Sequence, residues 1–333
     1  MNAPMITHLP ANQPPRFYRG GASIAALRGT DVVENGPEDW VASCTTLHGE
    51  PVAGLSALPD GRWLRDAVRA DPEHWLGPGG GTEPALLVKL LDAGQRLPVH
   101  VHPSDGFAQA HLGSRYGKTE AWVVVGTGGP NPTVHIGFRE DRDEDTVADW
   151  VARQDAGAML AALNEVEVRP GDAVFVPAGV PHAIGAGVFI VELQQPTDLS
   201  VMLEWTGFMD SEAGGHLGLG YPAALACVDR SGWAHRIDEL VHRPGDGDVV
   251  DLFGAAAAGF FGAQRITARS GVELDPGFAV LVVLAGSGEL TAQDGGTSVL
   301  AKGDTVVVPY AAGSTTLAGD LVAIRCTPPA VTR

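Results

Sequence analysis

A mainly β chain, built as two small barrels or jelly rolls with one helical insert, is what this sequence predicts. Three observations lead there. Short apolar runs are separated by turn residues, the runs fall into two successive blocks, and one motif recurs in both blocks. Glycine and proline, 44 and 24 of 333 residues, supply the turns that many short strands need.

Taken in order, apolar residues at helical spacing (Leu64, Ala67, Val68) predict a helix from Trp63 to Trp75, which the glycines of Gly77 to Gly81 end. Strands are expected over Ala85 to Leu91, Pro98 to His102, Glu120 to Val125 and Thr133 to Phe138. From Glu144 to Asn164 the period changes. Val147, Trp150, Val151, Met159, Leu160 and Leu163 read as a helical insert, after which strands resume at Glu165 to Val168, Ala173 to Val176 and Gly187 to Gln194. A connection with a short helix at Tyr221 to Val228 precedes a second block of strands, about Phe261 to Ile324. Gly171-Asp172, Val174 to Val176, Pro177 and Gly179 recur as Gly303-Asp304, Val306 to Val308, Pro309 and Gly313, the sign of a duplicated barrel. The predicted organisation is a flexible arm over 1–16, a metal-binding barrel over 17–209 with its helical insert at 144–164, a connection over 210–258, and a metal-free barrel over 259–333.

Charge narrows the functions. A formal net charge of -18 repels phosphate backbones and anionic lipid, so neither nucleic acid nor membrane is an expected partner. No apolar run free of charge reaches the ~20 residues that cross a bilayer. Residues Met1 to Arg16 are polar and proline-rich, without the apolar core of a signal peptide. Cys44, Cys227 and Cys326 are too sparse for a disulfide framework, which suits a reducing cytoplasm. No particular oligomeric state is implied.

The chemistry-bearing pattern is a metal set. Gly94 is followed after five residues by His100-Val101-His102, and on a strand positions i and i+2 project to the same face. Glu120 opens an apolar strand that can carry its carboxylate inward. Gly171, five residues, Pro177, Gly179, two residues and His182 bring a third imidazole after a tight turn. Three nitrogens and one oxygen suit a single divalent ion, zinc first, with manganese, iron, cobalt or nickel as alternatives. In their order and spacing, these segments resemble the two motifs of the cupins, so the expected fold is a double cupin. The second block has no histidine between Phe261 and Ile324, so its barrel is expected to be metal-free.

Longer runs carry a closer resemblance. Pro84 to Ala93, Val101-His102-Pro103, Tyr116-Gly117-Lys118-Thr119-Glu120-Ala121-Trp122, Pro177 to Ile184 and Val191 to Asp198 are similar to stretches of the type I mannose-6-phosphate isomerases, above all the short bacterial form. Pro37 to Ser43 matches that family's Glu-x-Trp-x-x-Ser stretch, and Lys302 to Thr305 continues the likeness weakly. The resemblance implies a metal-dependent aldose–ketose isomerase that moves a proton between C1 and C2 of a sugar or sugar phosphate through an enediol. Carried over residue by residue, it gives His102, Glu120 and His182 as metal ligands, with His100 where the family usually has Gln. Lys118, of the family's Lys-Thr-Glu, is expected to hold an anionic group or sugar oxygen; the chain has only three lysines. Glu192 is the candidate acid/base, and Asp198 is expected to orient its neighbours. Glu38 is either a cavity residue or a brace for Trp40.

Two further departures bear on the substrate. Pro98 replaces an expected serine, and the arginine that follows the family's aspartate by four residues falls on Met202. A phosphate dianion calls for charge-assisted donors, so this chain is expected either to act on an unphosphorylated sugar or to grip phosphate otherwise, with Arg115, Arg139 and Arg142 as substitutes. A cupin metal oxygenase and a non-catalytic sugar binder remain alternatives, because the same ligand set serves redox metals and plain binding.

Overall fold

The computed structural model describes residues 6–129 and 132–329, and its secondary structure is mainly antiparallel β. Three sheets form the frame. A six-stranded sheet orders Val241–His242, Ala173–Val176, Glu120–Thr127, Val188–Gln194, Leu87–Asp92 and Glu38–Val41 side by side. A five-stranded sheet orders Val201–Met202, His100–Val101, His182–Ile184, Thr133–Phe138 and Leu163–Glu167. An eight-stranded sheet gathers the C-terminal strands from Val249–Asp251 to Thr315–Thr327, together with Thr7–His8.

Strand alternation decides what each face does. In Glu120–Thr127, Trp122 and Val124 pack with Val134, Ile136 and Ile184 of the five-stranded sheet, so the two sheets enclose one core. The odd-numbered neighbours Ala121 and Val123 join a second core with Val88, Leu90, Val191 and Leu193. That core also takes Phe261, Phe278, Val280, Val282 and Ile324, so the six-stranded sheet packs back to back on the C-terminal sheet. A separate core fills the C-terminal unit, from Ile266 and Leu281 to Leu290, Leu300 and Val306. Burying side chains of this kind stabilises by about 1.5–3 kcal/mol each.

Several local expectations shift. The helix over Trp63 to Trp75 is two helices, Leu64–Ala70 and Pro72–Leu76, because proline removes a backbone donor and Asp71 caps the second. The helical insert is likewise split, into Glu144–Arg153 and Ala156–Ala162, each capped by an aspartate. Its apolar side, Val147, Val151 and Met159, covers Val99, Val101 and Ala183 on the outer face of the five-stranded sheet. Leu163 and Asn164, read as the last residues of the insert, instead open a strand. Residues 7–8 were expected in a flexible arm, yet Thr7 pairs with Val307 and His8 with Val306, adding a short strand to the C-terminal sheet. The stretch read as a connection also supplies strands, Val241 pairing with Val174 and Val250 with Arg265.

One glycine of the first histidine motif is fixed by crowding. Gly94 lies against the backbone of Gly20, and a Cβ there would meet Gly20 O at 2.1 Å. That contact draws the N-terminal segment across the barrel containing the histidines.

Candidate metal centre

His100 and His182 are direct cross-strand partners, and Met202 pairs with His100 from the other side. His102 follows immediately on the same strand end. The three imidazoles are buried, and one ring nitrogen from each lies within 4.8 Å of the others. Backbone carbonyls set their orientation. Nδ1 of His100 donates to Pro98 O (2.8 Å), Nδ1 of His102 to Leu199 O (3.0 Å) and Nδ1 of His182 to Val180 O (2.8 Å). A carbonyl only accepts, so each Nδ1 carries the hydrogen and each Nε2 turns a lone pair toward the centre.

Glu120 completes the convergence from the facing sheet. Its Oε2 lies 3.0 Å from His102 Nε2 and its Oε1 3.3 Å from His182 Nε2. Trp122, two residues on and on the same face, donates Nε1–H to Glu120 Oε1 at 3.0 Å. Lone pairs and a carboxylate aimed at one another in a dry interior repel unless a cation lies among them. Lys118 meets part of that need, its Nζ being 2.9 Å from His102 Nε2 and 2.8 Å from Glu120 Oε2. Among the described residues His182 Nε2 accepts no hydrogen bond, and neither does Glu120 Oε2 despite its ion-pair contact with Lys118. A divalent ion fits this donor set, and the three histidines could hold one.

A pocket opens beside the cluster, lined by His100, Lys118, Glu120 and Glu192 together with Arg16, Tyr18, Glu38, Lys89 and Met202. Register explains the assembly. Glu192 pairs with Lys89 on one side and Trp122 on the other, so three inward-facing side chains stand in a row across the six-stranded sheet. Glu192 Oε1 lies 3.8 Å from Lys118 Nζ, its Oε2 lies 3.8 Å from Lys89 Nζ, and that Oε2 has no hydrogen-bond partner among the described residues. Lys89 also reaches Glu38 Oε2 at 3.3 Å. Glu38 proves to be both of its predicted alternatives: it lines the pocket and accepts from Trp40 Nε1 at 2.6 Å.

Asp198 stands behind Arg16 instead of on the pocket wall. Nη1 and Nη2 of Arg16 donate to its two oxygens at 3.0 and 3.1 Å, and Arg16 Nε lies 3.3 Å from Glu38 Oε1. Arg115, Arg139 and Arg142, the expected substitutes for the residue missing at Met202, are absent from the lining among the described residues. Arg115 instead stacks over Tyr116, and Arg142 lies over Trp150. Sequence reasoning missed Lys89, Arg16, Tyr18 and Trp122. For Lys89 a signal existed: it is the one charge within the apolar run from Leu86 to Leu91, a costly choice for a buried strand unless paired.

Burial and neighbours set the protonation states. Burial, with nearby His182 and His102, drives His100 well below the ordinary imidazole value; burial and Lys118 push His102 down to about 3. Burial alone would raise Glu120, but Lys118 and His102 outweigh it and hold the carboxyl well below its usual range. Glu192 goes the other way. Burial, reinforced by the charge of Glu120, raises it to about 8 against the pull of Lys89 and Lys118. Burial opposes ionisation of Glu38 and Asp198 as well, yet Arg16 and Lys89 keep both below the usual carboxylate range.

A larger groove of about 660 Å³ runs elsewhere, past Val166, Ile237, His242 and Phe253, away from these groups.

No family model matches the chain. Mannose-6-phosphate isomerase ManA of Bacillus subtilis is 27% identical over 247 residues, covering 74% of this chain and 76% of the relative. The crystal structure of the mannose 6-phosphate isomerase from Bacillus subtilis superposes with a TM-score of 0.79 at 22% identity, over 97% of this chain and 99% of that one. A mannose 6-phosphate isomerase bound with zinc and yttrium gives a TM-score of 0.73 at 16% identity, over 98% and 100% of the two chains. The shared fold therefore spans nearly the whole length, including the mainly β, double-cupin frame that the repeated motif predicts. The chain is a homologue of the mannose-6-phosphate isomerases, related to them in sequence and matching their fold almost from end to end.

Proposed function

We propose that this protein is a metal-dependent aldose–ketose isomerase, interconverting mannose 6-phosphate and fructose 6-phosphate or a related sugar through an enediol. The observation that carries the reading is the setting of Glu192. It is a buried carboxyl with one oxygen free of hydrogen bonds among the described residues, facing the same pocket as Lys118 and His100. An isomerase needs such a group, able to take a proton from carbon and return it to the neighbouring carbon.

His100, His102, His182 and Glu120 would hold the ion, and zinc suits three imidazoles and a carboxylate. Bound there, it supplies Lewis-acid polarisation of sugar oxygens. The remaining work falls to the chain. Lys118, anchored by Glu120, presents an ammonium to a sugar oxygen on which charge develops. Glu192 holds the transferable proton at its carboxyl, its affinity raised by burial into the range a general acid/base needs at neutral pH. Asp198 acts indirectly: clasped by Arg16, it fixes the guanidinium that forms one pocket wall. The barrel core behind Trp122 gives the site an apolar back wall, which strengthens each of these interactions.

The test is proton NMR of candidate aldoses and ketoses in deuterated water with the zinc-loaded protein. Deuterium should enter C1 or C2, and chelation should stop it. Bound zinc without exchange in any sugar tried would count against the isomerase reading.

A further inference from the structure

We propose that the substrate of this pocket is a neutral, unphosphorylated sugar, an inference that rests on the isomerase reading. Every cation that lines the pocket already faces a carboxylate. Arg16 donates through both Nη atoms to Asp198, Lys89 lies between Glu38 and Glu192, and Lys118 sits on Glu120. Arg16 is the only guanidinium in the lining among the described residues.

A phosphate dianion is held by donors free to turn to it, as in a bidentate arginine fork. Here it would have to compete with Asp198 for Arg16 while lying beside Glu38 and Glu120. A hydroxyl group has no such conflict. It donates to a carboxylate and accepts from an ammonium at once, so paired charges such as Lys89 with Glu38 suit it.

The rest of the wall agrees. Leu97, Pro98, Ile184 and Met202 are buried and Phe17 is partly exposed, giving an apolar side against which the C–H face of a sugar packs. Met202 is held beside His100 by strand pairing, so this apolar side reaches the histidine cluster itself.

The test uses inert polyols, so it does not require turnover. Metal-loaded protein is titrated with mannitol and with mannitol 1-phosphate by calorimetry, for the wild type and for Met202→Arg. Mannitol should bind at least tenfold more tightly than its phosphate ester to the wild type, and Met202→Arg should shift that ratio at least tenfold toward the ester. Equal or tighter binding of the ester to the wild type overturns the proposal, as does failure of the wild type to bind mannitol. The wild-type ratio stands alone if the variant does not fold. Absence of proton exchange in every sugar would instead reject the isomerase reading and leave the binding ratio unaffected.

Discussion

Each histidine of the centre is poised as a ligand by what its other nitrogen does. With Nδ1 committed to a carbonyl, Nε2 has only the centre to face, so removing one imidazole takes away a donor that nothing nearby replaces. His182→Ala should lower zinc affinity at least ~100-fold, beyond the 10–100-fold typical of losing an outer partner. Stoichiometric zinc in the purified variant, measured by elemental analysis, would show the ligand assignment to be wrong. The second residue-scale feature is the charge chain from Asp198 through Arg16 and Glu38 to Lys89. Glu38 and Asp198 are depressed below their unfolded values, so their stabilisation is fully present above about pH 4 and is lost as pH falls through the lower, folded values. Glu38→Gln leaves Arg16 and Lys89 partly uncompensated in the interior and should cost roughly 3–5 kcal/mol at neutral pH. Its denaturation midpoint should also fall less steeply in acid than that of the wild type. An unchanged acid profile would mean that Glu38 is not held ionised by its neighbours.

At the scale of elements, the legible and the illegible parts separate by the range of the interaction. His100 and His102 share a face through local strand alternation, and the turn before His182 is marked by Gly179, whose φ of 92° favours glycine. Both are readable from a few consecutive residues. Lys118 and Glu120 follow the same period of two into the pocket. Glu192 and Lys89 become neighbours only through the pairing of Val188–Gln194 with Leu87–Asp92, a register no local pattern states. Arg16 was harder still, because it ends a segment read as an arm. What brings it in is the close approach of Gly20 to Gly94 and the hydrogen bond from Arg16 N to Asn35 O. Elements also carry the support for the ligands. Trp122 holds Glu120 from the same strand, so Trp122→Phe should cost about 10–100-fold in zinc affinity while the fold persists. Competition with a chelator of known affinity measures this, and an unchanged constant would leave the indole without a supporting role.

Across the whole molecule, one core joins what the sequence suggests as two units. Val88, Leu90 and Leu193 from the six-stranded sheet meet Phe261, Phe278 and Ile324 from the C-terminal sheet. Unfolding should therefore be a single cooperative event, and Phe261→Ala, by emptying that shared core, should cost about 3–5 kcal/mol and shift the entire transition. Two separate calorimetric transitions, with only one moved by the substitution, would contradict the shared core. The frame this core stabilises holds His100, on the five-stranded sheet, and Glu192, on the six-stranded sheet, around one pocket, and the proposed chemistry depends on that placement. The most direct measurement is deuterium incorporation at C1 and C2, by NMR, for mannose, fructose and their 6-phosphates with zinc-loaded wild type and Glu192→Gln. The wild type should exchange, chelation should stop it, and Glu192→Gln should keep its zinc while exchange falls by about 10²–10⁴-fold. Undiminished exchange in that variant, or none in the zinc-loaded wild type, would contradict the account.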